Sequence, residues 1–449
     1  MTTGLHRLYK QTLSRYLPAN SLRERFAKGM AWVVMGSSLR QGASFFAGII
    51  VARILGIVDF GKLAVIQSTV LMLTGFGQAG IGLSSTKYIA STRTADQPRA
   101  GRIIGFSLTF AIMMSFVMGA GLIIFSRLIA KKLLPGSDLT VELRVATIWI
   151  IFEMINIIQS RILAGLEAFS SGASINLWQA LFLLPVVISG AYFGDLFGAI
   201  IAFSAISLIG CVLGQLFIRK ECKNFNISIS YRGIWRERII LRMSLMVWLS
   251  GMAMNMTNWF AGILLARQPM GISEYALFNA AQRFQNVIIF IPSRIYQVTI
   301  PILSNLQALG NKTGFKKALL GAGAIGTTIT ACLAFPIFIF SKRLMQWYGP
   351  EFSKGSGVLE IVAVTSCISA AWTIATAGLW AVEQSGQMFL LDVFRGGFLV
   401  SLCVAGMAVD AGSLALAHLI SYSAGTVLLL FALFRYTKKT WDRENSTVV

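Results

Sequence analysis

Residues 46–53 read FAGIIVAR, and residues 260–267 read FAGILLAR. After one inserted residue the match resumes. Gly56-Ile57 aligns with Gly271-Ile272, Asp59-Phe60 with Glu274-Tyr275, and Gln67 with Gln282. Each copy closes one apolar run and opens the next. A helix that spans a bilayer needs about 20 apolar residues at 1.5 Å rise each. Working outward from the two copies, twelve such runs emerge: 30–51, 60–82, 103–126, 145–164, 174–193, 196–218, 239–265, 275–301, 318–340, 357–380, 387–409 and 412–434. Gly, Pro and charge supply the breaks, as at Gly56, Pro98, Pro135-Gly136, Gly194-Asp195, Pro269, Gly310 and Gly349-Pro350. Six runs separate the copies, an even number, so both halves cross the membrane in the same sense. The predicted fold is all-α and integral to the membrane, with about twelve transmembrane helices in two parallel six-helix pseudo-symmetric lobes. Its expected parts are an N-terminal arm (1–29), an N-lobe (30–218), a basic linker (219–238), a C-lobe (239–434) and a tail (435–449). Parallel repeats are a transporter signature, with the substrate site between the halves.

Composition agrees. Of 449 residues, 55% are hydrophobic and 13% charged, with a mean hydropathy of +0.70. Soluble domains carry about 25% charged residues. Net charge is +21, from 39 Lys+Arg against 18 Asp+Glu. These cations lie mostly between the apolar runs, where they set topology. With the N-terminus inside, the inside segments hold 23 Lys+Arg and the outside segments 9. Both termini are therefore expected in the cytoplasm. The partner expected for these charges is anionic membrane lipid, not nucleic acid. The first apolar run starts near Met30, too late for a cleaved signal peptide. Five cysteines form no CxxC pair and no Cys/His cluster, so the sequence predicts no disulfide framework, no metal site and no cofactor. His6 lies in the polar arm. His418 stands alone in the last run and reads as a packing histidine.

Charge inside the apolar runs is costly, about 2.5–3.5 kcal/mol for Arg at the centre of a span. Arg40 sits in the first run, Arg161 near the end of the fourth, Arg283 and Arg294 in the eighth, and Arg395 in the eleventh. Acids are fewer: Glu153 in the fourth run, Asp392 in the eleventh, and Glu360 near the outer end of the tenth. Arg283 and Arg294 are separated by about 20° of azimuth and about 16 Å of height, which predicts a ladder of two guanidinium groups on one face. Pro292 and Pro301 are expected to kink that helix. Asp392 and Arg395, spaced i, i+3, are placed to neutralise each other. That leaves Arg40, Arg283 and Arg294 without local acidic partners, in a pattern suited to an anionic substrate. Guanidinium donates to phosphate in a planar fork. Structural pairing or snorkelling is the competing reading, most evenly so for Arg161 and Arg395. Asn156 and Gln159 on the fourth run, Asn255, Asn258 and Trp259 on the seventh, and Gln282 and Asn286 on the eighth add hydrogen-bonding capacity near these charges.

The stretch 52–90, ARILGIVDFGKLAVIQSTVLMLTGFGQAGIGLSSTKYIA, carries a specific pattern: ARxLG, Asp59-Phe60-Gly61, Gln67, and Gly77-Gln78-Ala79-Gly80-Ile81 leading to Lys87-Tyr88. It resembles the first two helices of Wzx-type polysaccharide biosynthesis flippases, members of the multidrug/oligosaccharidyl-lipid/polysaccharide exporter superfamily. The resemblance implies a flippase, not an enzyme. It would move an undecaprenyl-pyrophosphate-linked oligosaccharide across the bacterial cytoplasmic (inner) membrane for O-antigen, capsule or exopolysaccharide assembly, by alternating access. It implies lipid-linked oligosaccharide as the partner, with a glycan polymerase complex as a further candidate. Pyrophosphate would sit against Arg40, Arg283 and Arg294, with Arg395 in a second tier. Ion coupling would use Asp392, Glu153 or Glu360.

Four rivals compete. A cation-coupled multidrug exporter of the same superfamily usually carries acids in its first or seventh helix, whereas this chain has Arg40 in the first and no Asp or Glu in the seventh. A peptidoglycan-precursor flippase often carries two further helices. A membrane enzyme of glycan assembly needs a long outer loop with catalytic groups, and the outside segments are short and hold none of the usual constellations. A passive scaffold leaves the intramembrane arginines unexplained.

Overall fold

The computed structural model describes residues 22–78, 80–133, 139–238, 245–382 and 384–446. His6 and most of the expected N-terminal arm fall outside them. Every regular element among the described residues is helical. The first and second apolar runs form one continuous element, α1 (Leu22–Gly77), bent at Gly56. Gly56 has φ 73°, a left-handed backbone that glycine adopts without Cβ strain. There follow α2 (Ile81–Thr92), α3 (Gln97–Leu128), α4 (Thr140–Gly165) and α5 (Phe169–Asn224). α5 joins the fifth and sixth runs across non-helical residues Gly194 and Asp195. The second half contributes α6 (Leu245–Ala266), α7 (Gly271–Ala308), α8 (Lys312–Ile339), the short α9 (Ser341–Gln346), α10 (Ser356–Ala381), α11 (Ser385–Leu402) and α12 (Ala411–Ser446).

Among the described residues, seven helices are long and apolar enough to cross a membrane by length and composition alone. α5, with two of the twelve predicted runs, is among them; α1, α4 and α6 are not. Those three carry Arg40, Glu153, Asn255 and Asn258. Outward faces are apolar: Phe193 is 84% exposed and Ile124 72%, as suits contact with lipid rather than water. One expectation fails locally. Residues 83–92, assigned to a connecting segment, are helical, because Ile81, Ser85 and Ile89 form a buried stripe on α2. Gly80, in the left-handed region, breaks the chain from α1 so that this stripe can turn inward.

α1 through α5 pack mainly on one another, as do α6 through α12; the two sets meet where α1 touches α6 and α7. The end of the bundle carrying 92–97, 165–169, 224–238 and 308–312 is called the basic end, after its lysines and arginines. The opposite end is the far end. At the basic end, residues 225–238 fold back along α3, where Ser230 N–H donates to Gly101 O at 3.3 Å. Glu237 is buried and lies 3.4 Å from both Arg99 and Arg102. Glu237→Ala is expected to release this segment, since two half-buried guanidinium groups lose their shared acceptor and each such bond contributes about 1.5–3 kcal/mol. Limited trypsin digestion checks it, with cleavage at Arg232 accelerating in the variant and α3 left intact.

Candidate functional site

The two sets are held together most closely toward the far end. Arg283 of α7 reaches across to α1. Its Nη2 donates to Gln67 Oε1 at 3.0 Å and its Nη1 to Ser44 O at 3.4 Å, while Nε donates to Asn279 Oδ1 at 3.4 Å. The guanidinium also lies 5.4 Å from the centre of the Phe60 ring. Gly48 makes this possible, because a Cβ there would stand 2.8 Å from Arg283 Cζ. Aromatic rings surround the contact: Phe45 meets Phe284 at 5.1 Å, and Phe60 meets Phe352 at 5.7 Å and Tyr348 at 6.0 Å. Arg53 ties the far-end turn of α1 to the 341–356 segment, donating from Nε to Trp347 O at 2.6 Å.

Nearer the basic end the contact opens on one flank. Arg294 donates from Nη2 to Ser37 Oγ at 3.1 Å, the hydrogen bond between α1 and α7 closest to that end among the described residues. Below it α1 leans on its own set, with Gly29 against Phe169 and Gly36 against Ala173 of α5. α7 turns toward α8 and α10, where Leu303 packs with Phe315 and Leu379. On the other flank α1 and α6 stay together. Trp259 Nε1 donates to Thr69 Oγ1 and Trp248 Nε1 to Phe76 O, each at 3.0 Å.

Arg40 and Arg294 flank this opening. Arg40 lies one turn along α1 from Ser37, about 4.5 Å of rise. Its Nη1 donates to Asn176 Oδ1 at 3.4 Å, and its Nη2 is 4.0 Å from Glu153 Oε1. Ser207 donates to the other Glu153 oxygen at 2.6 Å. Arg294 has Gln297 and the Phe290 ring as further neighbours and no acidic partner among the described residues. Both guanidinium groups remain half-exposed. The predicted ladder is therefore divided. Arg294 faces the opening, whereas Arg283 is spent on contacts between the two sets. Arg40, expected to lack an acid, has Glu153 within reach.

The second tier lies elsewhere. Arg395 is 4% exposed inside the second set, with its guanidinium 4.2 Å from the Tyr422 ring centre and 5.3 Å from that of Trp372. No ion pair joins it to Asp392 among the described residues; Asp392 instead accepts from Ser250. The expected i, i+3 pair makes no ion contact within hydrogen-bonding reach among the described residues, and aromatic rings box the cation. Desolvated cation–π contacts contribute about 2 kcal/mol or more. Arg395→Ala is accordingly expected to lower the thermal unfolding midpoint in detergent, with ligand affinity at the opening retained. Glu360 accepts from Ser341 Oγ at 2.7 Å and so holds the start of α9. The sequence reading did not single out Ser37, Asn176, Gly48, Arg53 or Tyr348 for the site. Gly48 and Arg53 lay inside the repeat itself, which was the one available signal.

Two sets of helices meeting at α1, α6 and α7, with cationic side chains at the opening between them, define a membrane transporter. The sequence profile of a family described as "Polysaccharide biosynthesis protein" matches residues 26–307, and the chain belongs to that family. It is 21% identical over 365 residues to the EPS I polysaccharide export inner membrane protein EpsE of Ralstonia solanacearum, covering 80% of this chain and 81% of that one. It is 22% identical over 382 residues to the succinoglycan biosynthesis transport protein ExoT of Rhizobium meliloti, covering 82% and 72%. In fold it is similar to the inward-facing conformation of a multidrug resistance MATE family transporter of the MOP superfamily, with a TM-score of 0.71 and 16% identity over 91% of this chain and 99% of that one.

Proposed function

We propose that the protein flips an undecaprenyl-pyrophosphate-linked oligosaccharide from the inner to the outer leaflet of a bacterial cytoplasmic membrane, supplying O-antigen, capsule or exopolysaccharide assembly. In this reading the basic end and both termini are cytoplasmic, and the lobes 30–218 and 239–434 rock about α1, α6 and α7. The observation that carries it is the pair of half-exposed guanidinium groups, Arg40 and Arg294, flanking one turn of α1 at the mouth of the opening. Among the described residues Arg294 has no carboxylate to satisfy it, which suits a phosphate and disfavours an organic cation. The export and biosynthesis roles in the names of EpsE and ExoT support the same substrate class.

Arg283 is assigned to the far-end gate. Arg395 is assigned to the internal packing of the C-lobe, with Asp392 beside it as a second acidic site. Glu153 is the preferred coupling acid, because it shares Arg40 with the substrate. Glu360 is assigned to the far-end turn. Transport is the whole of the proposed activity, with no covalent step.

Reconstitution tests the reading. Purified protein in liposomes is given a polyprenyl-pyrophosphate oligosaccharide in one leaflet, and its arrival in the other is timed against protein-free vesicles. Accelerated transfer is expected. Absence of transfer, together with export of a cationic drug down an ion gradient, would replace the substrate class by that of the multidrug exporters.

A further inference from the structure

The first set of helices contains a line of buried amides, leading away from the coupling acid proposed above, to which the transport reading gives no role. It starts at Glu153, whose side chain is 19% exposed beside Arg40. It runs along the contact between α4 and α5 toward the basic end. Asn156 is 3% exposed, Gln159 2% and Gln179 0%. Gln159 Nε2 donates to Gln215 Oε1 at 3.3 Å, and Gln215 is half-buried. Gln179 Nε2 donates to Ile206 O at 3.2 Å. Ser207 and Gln215 bound the line on α5, about 12 Å apart at 1.5 Å per residue.

Two observations show that this line is more than a packed amide cluster. Among the described residues, Gln159 Oε1 and Gln179 Oε1 are buried and accept no hydrogen bond, though the Gln159 carboxamide has the Cys211 thiol as a neighbour. Exchanging O and N does not cure Gln179, because Ile206 O requires a donor facing it. A buried carbonyl without a donor costs about 1–3 kcal/mol, and interiors relieve that cost with water that makes two to four hydrogen bonds. The space for these carboxamides is also made by small residues. A Cβ at Gly210 would stand 2.8 Å from Asn156 Oδ1, and one at Gly214 would stand 2.9 Å from Gln159 Cδ. Gly210 and Gly214 are one turn apart and lie between Ser207 and Gln215, so the polar groups follow one face of α5.

We infer that the first set holds a column of internal water between α4 and α5, joining Glu153 to the basic end. A hard cation fits the line less well. The carboxylate is its only charged ligand, and Arg40 lies 4.0 Å from it, the one cationic group within that distance among the described residues. Water needs only the neutral amides and Ser207, and it supplies the donors that Gln159 and Gln179 lack. A water donates a hydrogen bond to the carboxylate, and the column continues past the amides to Gln215. The inference does not depend on which molecule is transported.

Two readouts test it without any substrate. In radiolytic hydroxyl labelling, Cys211, between Gly210 and Gly214 on α5, is expected to react at a rate typical of hydrated thiols. The Gln159→Leu/Gln179→Leu variant, which fills the line with apolar groups of similar volume, is expected to lower that rate at least tenfold. In infrared difference spectra of wild type against the double leucine variant, the Gln159 and Gln179 carboxamide bands are expected to shift on transfer to D2O within the mixing time. A wild-type Cys211 that escapes labelling overturns the inference whether or not the variant folds. Wild-type carboxamide bands that stay unshifted in D2O overturn it as well. Neither result bears on the flipping assay, so the two readings fail separately.

Discussion

Replacement of Arg40 and Arg294 together by alanine is expected to slow transfer of the lipid-linked oligosaccharide by about 100-fold or more, with the protein still folded. Hydrogen bonds to charged groups contribute about 1.5–3 kcal/mol each, so loss of one guanidinium contact costs roughly ten- to a hundredfold. Two contacts on one pyrophosphate compound. Arg40→Ala also strands Glu153, 4.0 Å away. The charge-matched Arg40→Ala/Glu153→Gln variant therefore separates loss of substrate contact from the burden of an unpaired acid. Lysine at both positions is expected to restore part of the rate, because it keeps the charge and loses the planar two-donor fork. Transfer in the reconstituted vesicles, with a thermal unfolding curve for each variant, checks the prediction. A folded double alanine variant that flips at the wild-type rate would falsify the assignment of the opening as the phosphate site.

The second large effect concerns the far end. Gly48→Leu is expected to push the bundle out of the state described here, because Arg283 Cζ stands where the new Cβ would need room. Displacing Arg283 forfeits its bonds to Gln67 and Ser44 and its place over Phe60. A loss of about 2–3 kcal/mol moves a two-state equilibrium by roughly 30- to 150-fold. Spin labels at the exposed positions Val58 and Lys354 read the result as a longer far-end distance in Gly48→Leu and in Arg283→Ala. Flipping slows in both, since a gate that does not close cannot reset. Arg53→Ala, which removes the bond to Trp347 O, is expected to produce a smaller shift in the same direction. Unchanged distances in Gly48→Leu would return Arg283 to the list of substrate contacts.

Arg283 and Arg294 show how far a single chain of letters reaches. Helical geometry places both on one face of α7, and that inference needs only 3.6 residues per turn. What each guanidinium touches depends on α1, which approaches α7 closely at Gly48 and diverges below Ser37. The same limit applies to Arg40 and Glu153. They belong to different helices, so no local spacing rule could pair them. Asp392 and Arg395 mark the opposite failure. Their i, i+3 spacing allows a contact, but Trp372 and Tyr422, from two other helices, offer the cation a better-packed partner.

The sequence by itself determined the membrane, the helical class, the breaks at Gly56 and Gly194-Asp195, and the repeat. These follow from local quantities: the length of apolar runs, the cost of burying backbone in lipid, and backbone freedom at glycine. Only the tertiary structure decided which of the two repeated glycines admits a cation from the other half. Gly48 faces Arg283 across the two sets, whereas Gly262, in the second copy, faces Tyr275 of its own. The two copies read almost alike, but each is packed against different neighbours, and contact between distant segments is a property of the assembled bundle rather than of either copy.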